Sequence, residues 1–435
     1  MHDGGATSTT TIFANIFISF IGAGILGMPY AFKVAGVVEG CVIMALVGII
    51  SVRAMLLIVD CKNKLVSINW SRGKSILTNA KEKISEEKEP FSIQDGANLE
   101  AIMQQEREID YGDLGFVSLG LTGKAIVDIS IVVSQIGFSC AYLIFISENI
   151  ADMASDRFSK NTVLLTLLPP LLVLVNFRHL KRLAIFSMFA DFANVFAYCV
   201  VFWFDFEHFD RVKLHPKLAN ISGLPFFLGI AIYCYEGAGM VLALEASCAK
   251  TARSKFRSIL KFTLTLVTLL SMVFGVCGYL SFGIYTNNII TINLPKGPFP
   301  YIVRGCLCFF PFLYLSRYYI TPLSVMMFPA VAILEKQIFN NGKIYYYYGT
   351  LIRAGVVVAS LVIVLIIPNF SILMALVGSS CCTLLSFILP ALFHLQIFKG
   401  ELTFVQKTED CIIIFVGIMG TLIGTHDVIQ RILEQ

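Results

Sequence analysis

The sequence predicts an all-α polytopic membrane protein, and three observations predict it. Hydrophobic residues make up 57% of the chain and charged ones only 14%, with a mean hydropathy of +0.77; soluble domains carry about 25% charged residues. The apolar residues gather into runs that can cross a bilayer, for which about 20 residues are needed. Two of these runs hold clusters of helix-breaking residues, Gly22-Ala23-Gly24-Ile25-Leu26-Gly27-Met28-Pro29 and Tyr235-Glu236-Gly237-Ala238-Gly239-Met240.

Eleven spans are read, at 11–33, 36–60, 123–148, 161–176, 183–204, 221–247, 257–284, 299–334, 347–368, 370–395 and 409–430. The eighth is long enough to tilt, or to break at Pro311 or Pro322. The organisation that follows is a short tail over 1–10, a transmembrane domain over 11–430 and, inside it, a polar segment over 61–115. No basic segment or small-residue cleavage pattern precedes the first span, so it is expected to be retained rather than removed as a signal peptide.

Lys and Arg in the loops set orientation. With the N-terminus in the cytosol, the cytosolic loops hold eighteen of them and the opposite loops seven. That bias favours a cytosolic N-terminus and, with an odd number of spans, a C-terminus on the far side. It also accounts for the net charge of +4 without a nucleic-acid partner. The 61–115 segment, rich in Lys, Glu, Ser and Gln, lacks the apolar surface to fold alone. It is expected to be a mostly disordered cytosolic loop, with room for a regulatory role and an unknown protein partner.

Most of the twelve cysteines lie within spans, where a thiol behaves as a small hydrophobe. Cys306-Leu307-Cys308 and Cys381-Cys382 lack the spacing of a zinc site, so no metal and no cofactor is implied. Of the sequons at Asn69, Asn220 and Asn369, only Asn220 falls in a far-side loop of useful length.

The two breaks carry the chemistry. In hydrocarbon, unpaired backbone survives only where it lines a protected cavity, and breaking a helix frees N–H groups at one new end and carbonyls at the other. The freed N–H end suits a carboxylate, and the carbonyls suit an ammonium group or a cation. Together they match the zwitterionic end of a free amino acid. Paired interruptions at corresponding places in two halves of a chain point to a transporter's binding site. Five spans separate these two, as expected of two five-helix repeats of inverted topology with one helix appended. The competing reading is close helix packing through small residues.

Glu236 stands beside the second break. An acidic residue at mid-membrane costs roughly 2.5–3.5 kcal/mol on an insertion scale. Burial penalises its charged form, so Glu236 is placed to take up and release a proton. Hydrogen bonding to substrate or structure, or an ion pair with Arg317, are the alternatives. Asp191 in the fifth span is the second proton-pathway candidate. Asp128 reads as a solvated or capping residue, Arg53 as snorkelling to the interface, and His179 and His394 as wet histidines near span ends. Ser316, Thr321 and Ser324 are weak candidates for a sodium site.

These stretches, together with Ala14 to Tyr30, Tyr111-Gly112-Asp113-Leu114-Gly115-Phe116, Ser134-Gln135-Ile136-Gly137-Phe138 and Tyr142 to Ile146, resemble the amino acid/auxin permease family. The likeness is to its plant-type vacuolar transporters, next to the proton-coupled lysosomal branch. It covers 10–60 and 110–250, and more loosely the remainder through Thr321-Pro322-Leu323. The resemblance implies a LeuT-like fold of eleven spans and transport of amino acids, often with protons, from a vacuole or lysosome into the cytosol. Where proton-coupled lysosomal relatives carry a histidine about two turns before the first glycine, this chain has Asn15, as plant vacuolar members do.

The reading is a secondary active amino acid transporter working by alternating access, proton-coupled, with sodium as the alternative ion. Gly22, Ala23, Gly24 and Ile25 bind the backbone end of a small neutral amino acid. Tyr233, Glu236 and Gly237 complete the pocket, and Ser134 or Gln135 faces it. The rivals are a sensor that signals through the 61–115 loop and a plasma-membrane importer. An enzyme is disfavoured, since no nucleophile or histidine–acid constellation stands out. A channel is disfavoured by the lack of a polar pore-lining stripe.

Overall fold

The computed structural model describes residues 8–87, 109–154, 157–174, 195–196, 198–204, 219–249, 252–309, 331, 333–335 and 346–434. It is a helical bundle. The first apolar run opens as α1 (Thr9–Phe20), capped by the Ser8 hydroxyl on the Thr10 N–H at 3.3 Å. It stops at Ile21 and Gly22, continues as a 3₁₀ turn (Ala23–Gly27), and resumes as α2 (Met28–Ala35) with Pro29 in its first turn. Proline is tolerated there because its missing N–H has no partner to lose. The halves of this run are bent by 47°.

The chain reverses at Gly36, whose φ of 94° suits glycine, into α3 (Val37–Glu87). Then come α4 (Tyr111–Met153), α5 (Lys160–Leu174), α6 (Leu224–Cys234), α7 (Ala238–Ala246), α8 (Arg253–Phe282) and α9 (Pro298–Phe309). After α10 (Tyr346–Ile366), α11 (Phe370–Val377) passes through two π-helical stretches (Gly378–Cys382 and Leu384–Ile388) into α12 (Leu389–Ile397). The last helix is α13 (Phe404–Leu433).

Among the described residues seven helices are long and apolar enough to cross a membrane, or eight if the bent pair Thr9–Phe20 and Gly24–Ala35 is one span. The expected spans at 161–176, 183–204 and 299–334 are described only in part, so the described residues do not establish the count of eleven. One span boundary stands and one moves. The third span starts near 123 as expected, just past Gly120, whose φ of 68° and ψ of −153° belong to glycine alone. Before it a separate helical segment begins at Tyr111, where Asp110 and Asp113 form a reciprocal capping box, and folds back so that a Cβ on Gly115 would meet the Gly123 carbonyl. The second span runs on as helix to Glu87, so backbone expected to be irregular from residue 61 is helical that far. This stretch has no proline before Pro90 and is rich in helix-favouring Lys, Glu and Leu. Residues 88–108 of the expected loop lie outside the described residues.

The core packs around Phe32 of α2, held between Gly40 of α3 and Gly275 of α8 and meeting the Phe227 ring edge-on at 5.0 Å. Without side chains at those glycines the helices close on the ring, the packing that replaces the hydrophobic effect inside lipid. α6 and the π-helical stretch approach backbone to backbone, since a Cβ on Gly378 would run into the Gly229 carbonyl. Asn220 is engaged: its side-chain amide donates to Val34 O at 2.8 Å and its carbonyl accepts from the Ser222 hydroxyl at 2.8 Å.

Charged side chains gather in pairs at one end of the bundle, termed here the basic end. Lys62 meets Glu245 at 2.6 Å, Lys64 meets Glu401 at 2.6 Å, Arg53 meets Glu409 at 2.9 Å, and Arg257 meets Asp60. At the opposite end Arg304 pairs with Asp152, and Lys160 with Glu148 at 2.6 Å.

Candidate functional site

The two breaks come together. A Cβ on Gly24 would sit 3.1 Å from the Tyr233 ring and 3.2 Å from the Cys234 Sγ, and one on Gly237 would overlap the Phe20 ring. The second half of the first run therefore lies against the first half of the sixth, and the first half of the first run against the second half of the sixth. That crossed pattern is what two broken helices give when they run antiparallel with their breaks level. The missing side chains at Gly24 and Gly237 are used for packing. Gly22 differs, because a Cβ built there meets nothing within 4 Å among the described residues.

At the first break a main-chain group takes a side-chain partner. The Gly22 carbonyl accepts from the Tyr198 hydroxyl at 2.9 Å, while the Ile25 N–H reaches the same oxygen at 3.3 Å. Tyr198 is fixed by the Phe274 ring, 6.1 Å away and edge-on. At the second break the Tyr235 and Glu236 N–H groups fold back on the Ile232 and Tyr233 carbonyls, ending α6, and α7 starts afresh at Ala238. The first N–H groups of each new helical segment face the break and carry its partial positive charge.

Glu236 reaches across to the π-helical stretch, where its Oε2 accepts from the Ser386 hydroxyl at 3.3 Å. Beside it, the Tyr111 hydroxyl donates to the Leu385 carbonyl at 2.7 Å. A π-helical register widens the turn and frees carbonyls, and such bulges recur at functional sites.

The α4 face that meets the sixth run is set by Ile131, 3.7 Å from a Cβ on Gly239, and by Phe138, whose ring lies edge-on to Tyr233 at 4.7 Å. Ser134 and Gln135 fall between them on that face, at the three- and four-residue spacing that makes helix neighbours. Ser134 is buried, and its hydroxyl donates to the Ile131 carbonyl at 3.0 Å. Ile25 is buried in the core beside the break. Asn15 is exposed on α1.

Asp191, Arg317, Ser316, Thr321, Ser324 and His179 lie outside the described residues. Arg53, expected to snorkel, is half-exposed and bonded to Glu409. His394, expected to be wet, is buried with its Nδ1 at 2.6 Å from Oδ2 of Asp410. The reason is α13, which packs along α12 and covers that helix face. Among the described residues no three His, Cys, Asp or Glu side chains gather as a metal site.

Tyr198 and Ser386 were missed from sequence. Ser386 had a signal, since it follows the small polar run Gly378-Ser379-Ser380-Cys381-Cys382-Thr383 inside an apolar span. Tyr198 had only its hydroxyl in an apolar setting, which asks for a partner without naming one.

A family model described as transmembrane amino acid transporter protein matches residues 5–78 and 97–430. The chain is 32% identical over 442 residues to the amino acid transporter AVT3C of Arabidopsis thaliana, covering 97% of this chain and 90% of that one. It is 31% identical over 449 residues to the amino acid transporter ANT1 of the same plant, covering 98% and 93%. The amino acid transporter AVT3B, also from that plant, is 31% identical over 442 residues, covering 97% and 93%. The family and these relatives are transporters, not enzymes. With two helix breaks facing each other inside an integral multi-pass bundle, the chain belongs to the transmembrane amino acid transporter protein family.

Proposed function

We propose that this protein is a secondary active transporter of small neutral amino acids, driven by protons and working by alternating access. The observation that carries the reading is the antiparallel pair of breaks, with Gly22 facing open space and Tyr198 holding its carbonyl. The amino acid's carboxylate binds the N–H groups that begin at Ala23 and Gly24, and its ammonium binds freed carbonyls. Glu236, tied to Ser386 and beside the second break, carries the proton. Relatives named as amino acid transporters support the cargo.

The basic end faces the cytosol, as the loop charges favour, and the cargo moves from an acidic vacuolar or lysosomal lumen into it. The inverted five-helix repeat with an appended eleventh span is part of this reading. The test is reconstitution in liposomes with labelled alanine and a set pH difference. Faster uptake from the acidic side, without sodium, supports it; uptake indifferent to the pH difference, or requiring sodium, rejects proton coupling.

A sensor reading draws on α3. Its 51 residues span about 75 Å at 1.5 Å per residue, beyond a bilayer of about 40–45 Å. A helix of that length reaches into solution, where a partner can bind. Deleting residues 72–106 separates the readings, because a transporter keeps uptake.

A further inference from the structure

The helix that binds Glu236 through Ser386 carries a second acid–base contact eight residues further on. There His394 Nδ1 lies 2.6 Å from Asp410 Oδ2, tying α12 to α13. Eight helical residues rise about 12 Å, so the two contacts are separate sites on one helix. His394 is 4% exposed and Asp410 is fully buried. Ionisable groups are rarely kept at such positions without a purpose.

The surroundings leave the pair one charge short. Of the cations at this end, Lys64 is matched by Glu401 and Arg53 by Glu409, while Lys399 and Lys407 are exposed to solvent. Lys64 also stands 5.7 Å over the Phe398 ring, which lies 4.7 Å from the His394 ring. From α4, Tyr111 contributes its ring against Phe393 at 5.8 Å and gives its hydroxyl to the Leu385 carbonyl. From α3, Cys61 comes within electrostatic reach of Asp410, while its neighbour Asp60 is paired with Arg257. Glu236 comes within electrostatic reach of Tyr111 but is bonded to Ser386. The Asp410 Oδ1 atom is buried with no hydrogen-bond partner among the described residues. A neutral imidazole leaves a buried net negative charge here, and an imidazolium cancels it. With no third ligand gathered among the described residues, the missing positive charge is a proton rather than a metal ion.

We infer that His394 and Asp410 form a second proton-binding site, which exchanges with the solution at the basic end. The neutral tautomer that satisfies the carboxylate keeps its hydrogen on Nδ1, so the incoming proton binds Nε2. The pair passes from a net charge of minus one to zero, and release reverses this. The site rests on the transport reading, but not on Glu236 being the coupling carboxyl. It gives the carrier a pH dependence set from the basic end, independent of the gradient that drives uptake.

The test is exchange of labelled for unlabelled alanine in proteoliposomes of one orientation, with equal alanine on both sides and the basic-end pH stepped from 5 to 8. The wild-type exchange rate is expected to change several-fold over that range. Lys160→Gln, at the opposite end, keeps the profile, while His394→Gln and Asp410→Asn flatten it, with thermal unfolding reporting that each variant is folded. A flat wild-type profile, or a folded His394→Gln that keeps the wild-type profile, overturns the inference. If the substitutions at the pair prevent folding, the wild-type protein decides: an exchange rate that follows the basic-end pH and not the opposite-side pH supports the second site, and one that follows only the opposite-side pH overturns it. Gradient-driven uptake retained by Glu236→Gln, with the wild-type exchange profile intact, counts against the Glu236 reading alone.

Discussion

The Tyr198 hydroxyl donates to the Gly22 carbonyl at 2.9 Å, so a side chain from a distant span holds an oxygen that the first break sets free. Phenylalanine at position 198 keeps the ring contacts and removes the donor. The carbonyl keeps the longer bond from the Ile25 N–H, so losing the Tyr198 donor costs about 0.5–1.5 kcal/mol, the net worth of one hydrogen bond. Tyr198→Phe is expected to lower the thermal unfolding midpoint and raise the alanine KM several-fold, with expression unchanged. A variant with wild-type midpoint and KM would show that this hydrogen bond supports neither the break nor the site.

Two glycines make opposite predictions. Gly22 has φ −117° and ψ 180°, backbone that alanine adopts freely, and open space where a Cβ would go. Gly22→Ala is expected to leave stability unchanged and reduce alanine uptake at least tenfold, by intruding on the substrate. Gly237→Ala drives a methyl into the Phe20 ring and is expected to cost about 1–3 kcal/mol as overpacking. Shortening Phe20 to leucine in that background should restore part of the loss. If Gly22→Ala transports normally, the space beside it is not the substrate's.

This contrast marks how far the sequence could be read. Both breaks were legible because their cause is local: glycine and proline weaken a helix wherever they stand. That the breaks share one site was expected from their positions five spans apart; that Gly24 and Gly237 serve packing while Gly22 stays open was not legible, because this depends on which rings arrive from other spans. The same holds for Ser386 and Tyr198, whose partners are 150 and 176 residues away. His394 was misread for a related reason: its position near a span end predicts water, and only the packing of α13 removes it. The Tyr111 boundary was readable in retrospect, from Asp110 and Asp113 at capping-box spacing.

Glu236→Gln preserves an oxygen that can accept from Ser386 but cannot ionise. Exchange at equal alanine on both sides is expected to stay within a few-fold of wild type. The acceleration of net uptake by acidifying the source side is expected to vanish. The sign is fixed: wild-type uptake rises as the source side becomes more acidic, whereas the variant's is flat. Gradient-driven uptake by a folded Glu236→Gln would move the coupling proton to another group.

The buried pair between Lys62 of α3 and Glu245 of α7, 2.6 Å apart and 2% and 6% exposed at the side chains, makes a prediction about stability. Removing one partner strands the other's charge in a low-dielectric setting, at a cost of about 3–5 kcal/mol, whereas replacing both with apolar residues is often neutral. Lys62→Met and Glu245→Leu are each expected to lower the unfolding midpoint strongly, and the double variant to recover most of it. The exposed pair of Arg53 and Glu409 serves as the control, since contacts of that kind contribute about 0–1 kcal/mol. A double variant no more stable than the single ones would mean that the pair holds α7 through its geometry. In that case the attachment of α7 to α3 would depend on the charges themselves, and an apolar contact could not substitute for them.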